Sequence, residues 1–163
     1  MTTLFGDPQL LTPLLREQGV PPGTAVIDLE ERYEQWLESG AVAPLPQCDT
    51  KDPVWILYTS GSTGRPKGAV LTHHSFLAGL RSAALARPVL PTDKFLYPFP
   101  LFHVAAHNVL LQHQYGASVV LTRSFDPAAT LAACRELQVT TMSLAPTMIA
   151  MLLDHPDFSP EDL

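Results

Sequence analysis

Short apolar runs alternate with longer stretches of helical periodicity along almost the whole chain, and few folds accept that order. Residues 24–29, 54–58, 69–71, 95–99, 117–121 and 140–144 read as strands. Helical segments lie at 8–18, 30–39, 73 to about 85, 101–115, 127 to about 138 and 146–154. In the first of these Leu10, Leu11, Leu14 and Leu15 recur at helical spacing, and Gly19 stands where a helix ends. Thr72 and Asp126 precede two others as capping side chains, the second followed by Pro127 at the first helical position, where a missing N–H costs nothing. Strands joined by helices of crossover length pair in parallel, so the expected fold is α/β, a layered and mostly parallel sheet with flanking helices. The continuous apolar run 54–58 is expected to be a strand of the buried type, and residues 41–53 a Pro-rich connection.

A chain of 163 residues suits a single domain. Its charged fraction of 16% is below the roughly 25% of an average soluble domain, so part of its surface is expected to be covered. The net charge of −6, with Lys and Arg scattered, leaves no footprint for nucleic acid or anionic membrane. Cys48 and Cys134 form neither a CxxC pair nor a disulfide framework, which suits a reducing compartment. No basic segment with an apolar run opens the chain, and no apolar run reaches the roughly eighteen residues of a membrane span. The expected location is the cytoplasm.

Tyr58, Thr59, Ser60, Gly61, Ser62, Thr63, Gly64, Arg65, Pro66, Lys67 and Gly68 follow an apolar strand and place three glycines, four aliphatic hydroxyls and a lysine within eleven positions. Glycines let backbone N–H groups approach anionic oxygens, hydroxyls add donors, and an ammonium adds charge. Composition by itself equally describes a Ser/Gly turn. The spacing is not a Walker A loop, because Lys67 is preceded by Pro66 and followed by Gly68, nor is it GxGxxG.

The order YTSGSTGRPKG, continued by Ala69, Val70, Leu71, Thr72 and His73, resembles the signature of the AMP-forming adenylating superfamily. That superfamily includes acyl-CoA synthetases, luciferases and the adenylation domains of peptide synthetases. The resemblance implies that the loop holds the β- and γ-phosphates of ATP while a carboxylate attacks the α-phosphate, giving an acyl-adenylate and pyrophosphate. Thr59, Ser60, Gly61, Ser62, Thr63, Gly64 and Lys67 are the implied nucleotide-binding residues, and Arg65 is expected to be solvated. Preorganised donors and one cation suit a leaving pyrophosphate, with no nucleophilic side chain needed.

Pro98, Phe99, Pro100, Leu101, Phe102, His103 and Val104 form a second informative stretch. A His after two apolar residues is by itself more often a core histidine. PLFHV, however, resembles the segment lining the acyl pocket of fatty-acyl and aryl-CoA synthetases. The resemblance implies that His103 sits beside the carboxylate and adenylate as the catalytic-site residue, with Ala105 and Val109 offered to the substrate tail from the opening turns of a helix. His103 and His107 are four apart and His113 lies further on, but Val104 stands where a zinc motif has Glu and no third ligand is spaced for a metal. No metal site is expected on this chain. Ala106 and His107 depart from the family's usual pattern and leave pocket shape and substrate open.

The implied whole is an incomplete part of the large N-terminal domain of an acyl-CoA synthetase, treated as one partial domain over residues 1–163. The likeness is weak over 1–53 and strong over 54–154, and 155–163 reads as a polar tail that finishes no element. The family's adenine-binding turn, the YGxTE-type segment whose glutamate helps hold Mg2+, the ribose aspartate and a late lysine do not occur in this sequence. The expectation is a carboxylate-CoA ligase using ATP, Mg2+, a carboxylic acid and coenzyme A, with this piece inactive alone. Its partners would be the remainder of the same enzyme, or further copies meeting through uncovered surfaces. Two alternatives remain: a non-catalytic remnant binding a phosphate-bearing ligand or a partner, or part of a peptide-synthetase adenylation domain.

Overall fold

Where described strands pair across an intervening helix, they pair in parallel, as the alternation of elements predicts. The computed structural model describes residues 2–30, 32–40, 44, 46–61 and 64–162, with only the backbone of residues 2, 10 and 162. It divides into two compact units, Met1–Gln47 and Cys48–Leu163.

In the first unit β1 (Thr2–Gly6) and β2 (Thr24–Asp28) pair in parallel, Thr2 opposite Thr24 and Gly6 opposite Asp28, with α1 (Pro8–Glu17) as the crossover. The sequence pattern does not announce β1. Its short run TTLFG becomes a strand by pairing with β2 rather than by local propensity. Asp7 caps α1, its carboxylate accepting from the Gln9 amide at 2.8 Å, with Pro8 in the first turn. The next helix, α2 (Tyr33–Glu38), is shorter than the expected 30–39, because the Asp28 carboxylate holds the Arg32 amide at 3.1 Å in a turn before it. Leu11 and Ile27 are buried, and Phe5 meets Trp36 edge to face at 5.1 Å.

The second unit centres on a three-stranded parallel sheet in the order β6-β5-β7, formed by β5 (Lys94–Tyr97), β6 (Ser118–Leu121) and β7 (Thr141–Met142). α4 (His107–Gln114) links β5 to β6, and α5 (Pro127–Leu137) carries the chain back over β5 to β7. Winding therefore reverses at β6, and right-handed crossovers put α4 and α5 on opposite faces of the sheet. Phe95, Tyr97, Ala106 and Val109 form the core, with Trp55, Phe99, Ala105 and Val119 packed against it. Asp126 caps α5 through the Ala129 amide at 2.7 Å, as its place before Pro127 predicts. Gln138 closes the helix in the left-handed conformation at φ 55°. α6 (Pro146–Leu153) follows, and the tail contains a short 3-10 turn at Pro160–Asp162. β5 stops at Tyr97, two residues before the expected end, where Pro98 has no N–H to continue a ladder.

β3 (Pro53–Thr59) and β4 (Lys67–Thr72) form an antiparallel hairpin, with β4 longer than the expected 69–71. This corrects the expectation of a buried strand at 54–58. Ile56 is 53% exposed, Tyr58 74% and Val70 58%, while Trp55 and Leu57 turn to the covered side. A two-stranded sheet has one face to pack, so the apolar run alternates in burial although it does not alternate in sequence. α3 (His73–Ala86) begins at a reciprocal cap in which Thr72 and Ser75 satisfy each other's backbone amides. Its Phe76 meets Trp55 edge to face at 5.6 Å. The expected helix 101–115 also starts later, at His107, after a 3-10 turn at Val104–Ala106. Among the described residues no helix is long and apolar enough to cross a membrane.

Candidate active site

The Gly-rich segment closes the β3–β4 hairpin. Tyr58 pairs with Gly68 and Thr59 with Lys67, so the ladder holds both ends of the loop in register. Gly61 and Gly64 take φ of +64° and +79°, a region that side-chain-bearing residues avoid. A Cβ on Gly61 would strike the Arg65 carbonyl oxygen, and the Gly64 amide donates to the Gly61 carbonyl at 3.2 Å. The tight turn is thus a property of these glycines. Thr59, Ser60, Gly64 and Lys67 are exposed and Gly61 half-buried, while Ser62 and Thr63 lie outside the described residues. Arg65, expected to be solvated, is exposed. Thr59, Ser60 and Lys67 are thus exposed on one small turn beside Gly61 and Gly64, a composition that suits an anion cradle.

His103 stands at the other end of the second unit's logic, beyond the carboxyl end of β5. Open α/β sheets offer a crevice at the carboxyl ends of the strands flanking a reversal of winding, here the segments leaving β5 and β7. The segment after β5 is fixed from below. Tyr97 is fully buried, and its hydroxyl donates to the Pro100 carbonyl at 3.1 Å, which also accepts from the His103 amide at 3.0 Å. Burial pushes the Tyr97 pKa above the ordinary phenol value, so the hydroxyl keeps the proton it donates.

Two histidines at this turn are held in opposite tautomers. His103 Nδ1 accepts from the Ala105 amide at 3.1 Å, which puts the neutral ring's proton on Nε2. His107 Nδ1 faces the Val104 carbonyl at 3.2 Å and must donate to it, because a carbonyl has no proton to give. His103 therefore presents a donor at Nε2, and the neutral His107 ring an acceptor. Phe99 stacks on the exposed His103 ring at 6.3 Å between centroids. The spacing of four residues between them is not a helical ligand pair, since His103 precedes the 3-10 turn rather than lying on α4.

Ala105 is half-buried and Val109 buried, and both pack into the core cluster with Phe95 and Tyr97. A pocket of about 280 Å³ is lined by Trp55, Leu57 and Leu71 of the hairpin, Phe76 of α3, and Val104 and His107, and neither Ala105 nor Val109 lines it. It joins the hairpin that carries the phosphate loop to the turn that carries His103. Of these linings the sequence reading names Val104, in the pocket-lining segment, and mentions Leu71 and His107, but assigns no pocket role to Trp55, Leu57 or Phe76, although Trp55 and Leu57 share one strand face by their spacing of two. Among the described residues no group of three His, Cys, Asp or Glu is placed to hold a metal ion.

The AMP-binding enzyme family matches residues 5–163. The long-chain-fatty-acid–CoA ligase FadD13 of Mycobacterium tuberculosis H37Rv is 31% identical over 163 residues, covering 98% of this chain and 32% of its own length. The inhibitor-bound N-terminal domain of FACL13 from Mycobacterium tuberculosis superposes with a TM-score of 0.82 at 29% identity, over 96% of this chain and 40% of that one. The o-succinylbenzoate coenzyme A synthetase of Bacillus subtilis, solved with ATP and magnesium ion, gives a TM-score of 0.76 at 26% identity, over 99% of this chain and 33% of that one. The chain spans about a third of the length of the curated relative it matches.

Proposed function

The chain belongs to the AMP-binding enzyme family, and we propose that its β3–β4 loop binds the pyrophosphate moiety of ATP within an enzyme that activates a carboxylic acid for transfer to coenzyme A. Thr59, Ser60, Gly61, Ser62, Thr63, Gly64 and Lys67 hold the β- and γ-phosphates. A substrate carboxylate oxygen attacks the α-phosphorus, the bond to the bridging oxygen breaks, and pyrophosphate leaves into the loop. Coenzyme A thiol then displaces AMP from the acyl carbon. His103 donates from Nε2 to the carboxylate or adenylate, and Ala105 and Val109 set the wall on which the acyl end rests. Magnesium accompanies ATP in the solved Bacillus relative, and among the described residues here no group of three His, Cys, Asp or Glu is placed to hold a metal ion.

The observation that carries this reading is the hairpin tip itself: two left-handed glycines and a lysine held in register on an exposed turn. Titration of ATP into the 163-residue chain, followed by calorimetry, tests it. Binding should weaken by about 10- to 100-fold in Lys67→Ala, the range of one charge-assisted hydrogen bond. Equal affinity of both proteins would overturn the assignment. ATP–pyrophosphate exchange is expected to be absent from this chain alone, and exchange that disappears in Lys67→Ala would show the piece to be a complete adenylating unit. We also propose that the open hairpin face is covered by the remainder of the same enzyme, or by a second copy when the chain is alone.

A further inference from the structure

Two amide side chains buried on α4 line one cavity with an arginine at the end of α3, and the proposed chemistry uses none of the three. Asn108 is 7% exposed and Gln112, one turn further on, is 6% exposed. A polar side chain so deeply buried is destabilising unless a partner meets it. Arg87, the residue that closes α3, meets the first: its Nη2 donates to Asn108 Oδ1 at 3.1 Å. Gln112 Oε1 has no hydrogen-bond partner among the described residues, so the cavity holds a second acceptor for a guanidinium that carries five N–H donors. Leu at 108 would bury without this cost and suits a helix better than Asn, so packing alone does not account for the pair.

This bond ties together the elements that carry the two halves of the candidate site. β4 runs into α3 without a linker, Thr72 ending the strand and capping the helix. The 14 residues of α3 then span about 21 Å from the hairpin to Arg87. Phe76 packs on Trp55 of β3 near the start of the helix, and Arg87 reaches the first turn of α4 at its end. Asn108 lies two residues beyond the 3-10 turn whose Ala105 amide donates to His103 Nδ1. Tyr97 fixes the entry to that turn through Pro100, and Arg87 fixes the exit. We propose that Arg87 is a positioning residue: it holds α4 through Asn108 and so keeps the Ala105 amide on His103 Nδ1, with the neutral ring's proton on Nε2. The proposal rests on the reading above that gives His103 a donor's part in the reaction. Arg87 also suits the negative end of α3 as a cation, but that interaction needs no Asn108.

Amide hydrogen exchange in the 163-residue chain, followed by NMR, reads the Ala105 bond against the rest of the fold. Arg87→Met and Asn108→Leu, the second of which leaves the cation in place, should each speed exchange at Ala105 about tenfold more than at the buried β5 amides, the range of a lost charge-assisted hydrogen bond. In both, the His103 Nδ1 resonance should move toward that of an imidazole nitrogen with no donor on it. Arg87→Lys, which keeps a donor and the charge, should hold exchange at Ala105 within about threefold of the parent, as should Gln112→Leu, which removes the acceptor that Arg87 does not use. Unchanged exchange at Ala105 in Asn108→Leu would overturn the proposal, and so would an equal rise at Ala105 and the β5 amides, the mark of a merely structural bond. Pyrophosphate titrated into the same samples reads the loop separately. No binding by the parent would count against adenylation and leave the tie standing.

Discussion

The β6-β5-β7 sheet and the β3–β4 hairpin carry the two halves of the candidate site and hold them in opposite ways. β5 is buried from Phe95 to Tyr97, and the His103 turn rests on it through the Tyr97 hydroxyl and the Pro100 carbonyl. The hairpin keeps one face on Trp55 and Leu57, leaves Ile56, Tyr58 and Val70 open, and positions its loop by ladder register and glycine geometry. The proposed substrate-orienting group, His103, is anchored through the core. The proposed phosphate loop is anchored at its two ends by the β3–β4 ladder.

If that contrast is right, substitutions should divide sharply between the two regions. Leu96→Ala, at a fully buried position in β5, should cost about 2–5 kcal/mol in urea unfolding, while Ile56→Ala on the open hairpin face should stay within about 0.5 kcal/mol. Similar losses at both sites would erase the distinction. Gly61→Ala should cost about 1–2 kcal/mol for its left-handed backbone, plus the clash with the Arg65 carbonyl, and should weaken phosphate binding without touching the His103 turn.

A smaller effect is expected at the anchor. Tyr97→Phe removes the bond to Pro100 and should cost about 1 kcal/mol. Because burial raises the Tyr97 pKa above its usual 10.0, the unfolded chain loses that proton first. The contribution is complete below pH 10 and is lost as pH rises through the folded value. Stability curves should therefore fall more steeply above pH 10 in the parent than in Tyr97→Phe, and parallel curves would refute the coupling. Least affected should be Val70→Thr, with near-unchanged stability but weaker self-association by light scattering.

Sequence reading reached the parallel core more fully than the hairpin, for physical reasons. Asp126 before Pro127 and Thr72 before His73 specify helix starts locally, and both caps form. Val54, Trp55, Ile56, Leu57 and Tyr58 carry no polar alternation, so nothing local says which face is left open; the packing of Trp55 on Phe76 and the core decides that. The delayed start of α4 has a similar origin, since the His103 side chain bonds to the Ala105 amide and draws residues 104–106 into a tighter turn. At the candidate site the loop was legible because its residues are contiguous. The pocket was not, because Trp55, Phe76, Gly79 and His107 meet only after folding.

Backbone amide shifts of the 163-residue chain during titration with pyrophosphate test the central claim, that the hairpin tip is the phosphate-binding element. The expected result is saturable change at Thr59, Gly61, Gly64 and Gly68, strongly reduced in Lys67→Ala, with the β5 amides unmoved. Unchanged loop amides, or the same shifts in Lys67→Ala, would contradict it.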